Sequence, residues 1–242
     1  MKVRDPSSGV DERPAELATS DGERLVGRLS MPDRPVAGVV LCHPHPLYGG
    51  SMDNLLITTT QSAVRDGGAA TLRFNFRSVG GSTGTHGGGT GELLDVAAAL
   101  DFLDNELRSS RQPGGPDIPL AIVGYSFGTW VGLRAGLNDL RVGQMVGIAP
   151  TVRLVPFDFL KESRAPVLLI AGDRDEYGPV TEVRAVASRA GFHVTVAPIS
   201  GADHFFVGRS TTIARRVASF LWLADSAGAG PERSTDGPKT AG

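Results

Sequence analysis

The 242-residue chain has a single cysteine, Cys42. One thiol excludes an intramolecular disulfide framework and any Cys-rich zinc module. An excess of one charge is also missing: 24 Lys and Arg stand against 26 Asp and Glu, a formal charge of −2. Without surplus cations to neutralise phosphates, a nucleic-acid partner is not expected. Long apolar runs are absent too. Ala37–Cys42 and Val167–Ala171 are strand-sized, far short of a bilayer span, and Met1–Pro14 lacks the apolar centre of a signal peptide. The expectation is therefore a cytoplasmic protein with a reduced thiol and no membrane partner. What the chain does have is 32 glycines and 16 prolines. Such content calls for many tight turns and close backbone approaches.

The pattern along the chain predicts one folded domain over residues 15–224. It is flanked by a flexible tail at 1–14 and a disordered tail at 225–242, where apolar side chains other than Ala are missing. Inside, continuous apolar runs at Ala37–Cys42, Leu120–Val123, Met145–Ala149 and Val167–Ala171 read as strands buried on both faces. Glu23–Ser30, Ala70–Phe76 and His193–Ile199 read as further strands. Between them, apolar residues recur at helical spacing over Glu92–Arg108, after Pro179, and in a closing helix with Ile213, Val217, Phe220 and Leu221. Ser51 is the expected N-cap of a helix running to Asp66. Alternation of this kind specifies an α/β fold with a mostly parallel sheet covered on both faces. Its ligand site lies beyond the carboxyl ends of the strands.

Few polar groups fall there. Gly124-Tyr125-Ser126-Phe127-Gly128 has the G-x-S-x-G pattern between a buried strand and a helix. A sharp strand-to-helix turn lifts the serine hydroxyl above the sheet and aims a helix N-terminus at the reacting carbonyl. Ser126 needs a base, and His204, in the loop after the last strand, reaches the same face. His193 starts that strand at the opposite end, and His86 lies among seven glycines between Gly80 and Gly91, where it is expected to be mobile. The imidazole needs a carboxylate in turn. Asp175 is preferred to Asp173, which sits nearer its strand and can bond turn amides instead. For the oxyanion, Phe127 N–H is one donor. The loop after Ala37–Cys42 should give the other, and since Pro44 and Pro46 have no N–H, His45 is favoured over Leu47. Tyr48, Tyr125 and Arg77 are the expected substrate contacts, although an Arg at a strand end more often ties loops together through backbone carbonyls.

These features together resemble the α/β-hydrolase superfamily over nearly all of the folded span. More narrowly, His43-Pro-His45-Pro-Leu-Tyr-Gly-Gly-Ser-Met-Asp-Asn54 and Leu72-Arg-Phe-Asn-Phe-Arg-Ser-Val-Gly80 resemble a bacterial group of small, dienelactone-hydrolase-like serine hydrolases. Ser78 departs from that group, which usually has glycine there, and Ser126 stands where dienelactone hydrolases carry cysteine. The resemblance implies an eight-stranded α/β-hydrolase fold and hydrolysis of a carboxylic ester or thioester by Ser126, His204 and Asp175. It implies no cofactor and no metal. With 16 residues from Pro150 to Ala165, no separate cap domain is expected. Acyl transfer, amide or lactone hydrolysis and non-catalytic ligand binding use the same scaffold and stay open, as does the oligomeric state. Metal chemistry through His43-x-His45 is disfavoured, since further ligands are missing nearby.

Overall fold

In the computed structural model, residues 12–111 and 114–221 are described. Eight strands form one sheet in the order β1-β2-β4-β3-β5-β6-β7-β8. They are β1 (Glu12–Ala18), β2 (Arg24–Ser30), β3 (Ala37–Cys42), β4 (Ala69–Phe74), β5 (Leu120–Tyr125), β6 (Val142–Ile148), β7 (Val167–Gly172) and β8 (Val194–Ile199). The first two pairings, β1 with β2 and β2 with β4, are antiparallel, and the remaining pairings are parallel. The helices are α1 (Leu55–Asp66), α2 (Thr90–Ser110), α3 (Phe127–Leu137), α4 (Val180–Ala190) and α5 (Ser210–Phe220).

Side chains of a strand point alternately to its two faces, so a strand covered on both sides must be apolar throughout. In β3, Val39 and Leu41 join the cluster under α1 and α5, whereas Val40 and Cys42 join the one under α2, α3 and α4. The same division holds in β7, with Leu168 and Ile170 on one face and Val167, Leu169 and Ala171 on the other.

β1 is an element that the sequence reading missed. It begins at Glu12, ahead of the expected boundary at residue 15, and alternates exposed Glu16 with buried Ala15 and Leu17. As an antiparallel edge strand it tolerates Pro14 and needs only one apolar face. The signal was the Asp21-Gly22 turn, which with Gly22 at φ 91° joins β1 to β2 as a hairpin. The first eleven residues and the expected tail at 225–242 lie outside the described residues. One cap also shifts: Asn54, not Ser51, caps α1 by accepting the Leu56 N–H.

Arg77 ties the hairpin to the body of the protein. Its backbone N–H donates to Asp95 Oδ2 at 2.9 Å, and Nε and Nη2 donate to Asp95 Oδ1 at 2.9 and 2.8 Å. Two further bonds, at 2.9 and 3.1 Å, reach the carboxylate of Asp21 in the hairpin turn. Asp95 is fully buried, so burial pushes its carboxyl up against the opposing pull of the guanidinium. Removing Arg77 strands that carboxylate, and breaking a buried pair from one side costs about 3–5 kcal/mol. Arg77→Met should therefore lower the urea midpoint sharply, while Arg77→Met with Asp95→Leu recovers much of the loss. Equal losses in the two proteins would show that the buried charge is not the cause.

Candidate active site

β3 pairs in parallel with both β4 and β5, so the chain leaves β3 in opposite directions on its two sides. This is the switch point, where an open parallel sheet leaves a crevice at the carboxyl ends of its strands. Cys42, the last residue of β3, stands opposite Gly124. The loops after β3 and β5 are thereby brought side by side.

Ser126 occupies the bend between β5 and α3 at φ 55° and ψ −113°, a region that side chains rarely adopt. The turn closes only because its flanks are glycine. A Cβ on Gly124 would lie 2.2 Å from Gly128 O, and one on Gly128 would lie 2.2 Å from Cys42 O. The Ser126 N–H donates to Ile148 O of β6 at 2.8 Å, which pins the bend to the sheet.

Ser126 Oγ lies 2.9 Å from His204 Nε2, and His204 Nδ1 lies 2.8 Å from Asp175 Oδ2. The other oxygen of Asp175 accepts N–H bonds from Tyr177 at 2.9 Å and Gly178 at 3.1 Å. Asp175 is 1% exposed, so these amides substitute for water around it. Asp173 bonds elsewhere, accepting the Gly201 N–H at 2.8 Å and the Ser200 hydroxyl at 3.3 Å. It thereby anchors the loop that carries His204. Tyr177 packs edge-on against the imidazole, with centroids 4.9 Å apart, and nothing in the sequence pattern had pointed to it.

The chain after β3 is equally constrained. His43 is buried, and burial pushes its imidazole down to about 4. Its Nε2 accepts the Phe76 N–H at 3.0 Å, so the proton sits on Nδ1, which donates to Pro44 O at 2.6 Å. With both nitrogens engaged, His43 has no lone pair to share with His45 over a metal. Among the described residues, no group of three or more His, Cys, Asp and Glu side chains could hold a metal ion. The neutral ring has a measurable consequence. The unfolded chain takes up a proton near pH 6.5, whereas the fold resists it until about pH 4. Stability due to His43 is complete above the upper value and is lost as pH falls through this window. His43→Gln should give a flatter plot of unfolding free energy against pH from 7 to 4; an unchanged slope would count against the assignment.

The Leu47 N–H is spent on His45 Nδ1 at 3.2 Å. Of the two amides considered as donors in this loop, that leaves the His45 N–H. The Phe127 N–H, first in α3, has no acceptor within its helix.

Comparison with known proteins gives a consistent picture. No protein-family model matches the chain. An uncharacterized protein, RP471, of Rickettsia prowazekii is 30% identical over 207 residues, which is 82% of this chain and 84% of that protein. An α/β serine hydrolase homologue from Coxiella burnetii is 30% identical, with a TM-score of 0.77 over 86% of this chain and 97% of its own. The chain belongs to the α/β-hydrolase superfamily. XC6422 of Xanthomonas campestris, an α/β serine hydrolase without a lid, superposes on 94% of the chain and 100% of its own with a TM-score of 0.76 at 27% identity. Among its described residues this hydrolase is lidless as well: between β6 and β7 only the short 3-10 turn Asp158–Glu162 forms, and no cap domain covers Ser126. No helix among its described residues is long and apolar enough to cross a membrane.

Three expectations need correction. Arg77, expected among the substrate contacts, is buried and committed to Asp95 and Asp21, which is the loop-tying alternative. Tyr125, also expected to touch substrate, is 4% exposed and donates its hydroxyl to His204 O at 3.1 Å, steadying the backbone of that histidine. Burial, then the nearby Asp175 and Asp203, push its phenol up to about 12, so it remains a donor. His86 is packed in place: its ring lies against His45 and Phe127, with Nδ1 close to Glu92 Oε1 but outside hydrogen-bond geometry. Glu92 is buried and accepts the N–H groups of Gly87 at 2.9 Å and Gly89 at 2.8 Å, so the glycine-rich loop is wound around a carboxylate. Tyr48 stands 86% exposed beside His45. Ser78 adopts φ 69°, which keeps the left-handed turn that a glycine would give.

Proposed function

We propose that this hydrolase cleaves a carboxylic ester or thioester through an acyl-enzyme on Ser126. The observation that carries the reading is the unbroken chain from Asp175 through His204 to Ser126 Oγ, with contacts of 2.8 and 2.9 Å. As Oγ bonds to the carbonyl carbon, its proton moves to His204 Nε2. Asp175 Oδ2 accepts the Nδ1–H, fixing the tautomer and stabilising the imidazolium. The carbonyl oxygen becomes an oxyanion in front of the Phe127 and His45 amides, each worth about 10²–10³ in rate. Collapse breaks the bond to the alcohol or thiol, which leaves with the proton from His204. Water then repeats the sequence on the acyl-enzyme, releasing the acid and restoring Ser126.

The substrate is a small molecule, and the reaction requires no cofactor, since nucleophile, base and oxyanion donors are all groups of this chain. The buried free thiol of Cys42 suits a reducing cytoplasm. A fluorophosphonate should label the protein at one site per chain, and Ser126→Ala should abolish both labelling and turnover of short aryl esters and thioesters. Turnover that survives Ser126→Ala overturns the reading.

A further inference from the structure

Large apolar side chains stand in water on both banks of the site. On one bank Tyr48 is 86% and Leu47 65% exposed, both in the 3-10 turn Pro46–Tyr48. Scattered exposed hydrophobes are ordinary, but these are rigidly held. The carbonyl of His45 accepts the N–H groups of Tyr48 and Gly50, both at 3.1 Å, and prolines 44 and 46 flank it. Rings then continue inward from the surface. Tyr48 lies 4.7 Å from His45, which lies 4.8 Å from Phe127 and 5.0 Å from His86. The series thus runs from solvent to the residue next to Ser126. Burial and the neighbouring His86 push the His45 imidazole down, outweighing Glu92, in the direction that favours an uncharged face for stacking. On the other bank Phe205 is 65% exposed and packs edge-on against His204 at 5.7 Å. Its N–H and that of Phe206 are held by Asp203 Oδ1 at 3.0 and 3.1 Å.

We infer that the Tyr48–His45 bank is a stacking platform for an aromatic ring carried by the ester, and that this hydrolase prefers ring-bearing esters to small aliphatic ones. The inference rests on the ester-hydrolase reading above and names its substrate class. Offset or edge-to-face ring pairs contribute about 0.5–1.5 kcal/mol beyond buried area, which is roughly two- to tenfold in affinity.

The test compares kcat/KM for methyl phenylacetate against methyl acetate, and for phenyl acetate against ethyl acetate, so that the ring sits on either side of the scissile bond. Tyr48→Ala should lower at least one ring-to-aliphatic ratio by about three- to tenfold, mainly through KM, and Tyr48→Phe should restore it. Phe192→Ala, which alters a 99% exposed ring at the amino end of β8, should leave the ratios alone. Unchanged ratios in Tyr48→Ala, or an equal loss in Tyr48→Phe, overturn the platform. Ester binding to Ser126→Ala protein separates the two readings. Ring-dependent binding that Tyr48→Ala removes, without Ser126-dependent turnover, keeps the platform and sinks the hydrolase assignment. Ser126-dependent turnover without any Tyr48-dependent ring preference does the reverse.

Discussion

Replacing Ser126 by alanine is expected to lower kcat for a short ester by about 10⁵- to 10⁶-fold, and adding His204→Ala should cost almost nothing further. The second half is the sharper test. With Oγ gone there is no proton for His204 Nε2 to take, so the imidazole 2.9 Å away loses its purpose. If His204 served mainly to stabilise its loop, the two losses would multiply, as effects at independent positions do. His204→Ala alone should approach the loss of Ser126→Ala, since an unassisted hydroxyl is a weak nucleophile at neutral pH. What remains in the double variant measures the amides of Phe127 and His45 together with substrate binding. The check is single-turnover kinetics on both single variants and the double, with folded protein verified by circular dichroism. A double variant at least tenfold slower than the slower single would show that the two side chains do not act as a unit.

Why the meeting of Ser126, His204 and Asp175 could be read from sequence, and the pairing of Arg77 could not, is a matter of what decides each position. Parallel strands write themselves as unbroken apolar runs, because both faces are covered. Whatever follows such a run lies at the carboxyl edge: Ser126 follows β5 and Asp175 follows β7, while His204 follows the edge strand β8, which is only partly buried but runs parallel to them. Arg77 also follows a strand, yet its direction was set by Asp21 and Asp95, 56 and 18 residues away. Pairings at that range leave no periodic trace. His86 was misjudged for a related reason: seven glycines suggest slack, and the sequence does not show that Glu92 ties their amides down. Tyr125 was legible and was misread. Ala121, Val123 and Tyr125 fall on the same face of β5, so period two assigns the ring to the core. β1 escaped because an edge strand needs only alternate apolar positions, and Pro14 and two glutamates obscured them.

Asp175→Asn should reduce kcat by about 10⁴-fold while leaving KM within a few-fold, with Asp173→Asn far milder. The two residues are two apart and chemically alike, so the difference has to come from their partners. Asp175 Oδ1 accepts the N–H groups of Tyr177 and Gly178, while Oδ2 takes the Nδ1–H of His204. An asparagine there can keep the backbone bonds through its carbonyl oxygen only by turning its NH₂ toward His204. That amide is a donor, so Nδ1 must become an acceptor and the proton must move to Nε2. The imidazole then faces Ser126 Oγ already protonated and unable to accept. Binding is little changed, because neither atom of the exchange touches substrate, so the loss falls on kcat. At Asp173 an asparagine carbonyl still accepts the Gly201 N–H, and what is lost is charge in a bond that only anchors the His204 loop. Alkaline rescue discriminates further. Hydroxide can replace the missing base, so the residual rate of Asp175→Asn should rise with pH well above neutrality, whereas Asp173→Asn should keep the parental profile. Equal losses in both variants, or a collapse in Asp173→Asn alone, would transfer the role to the anchoring carboxylate despite its distance from the ring.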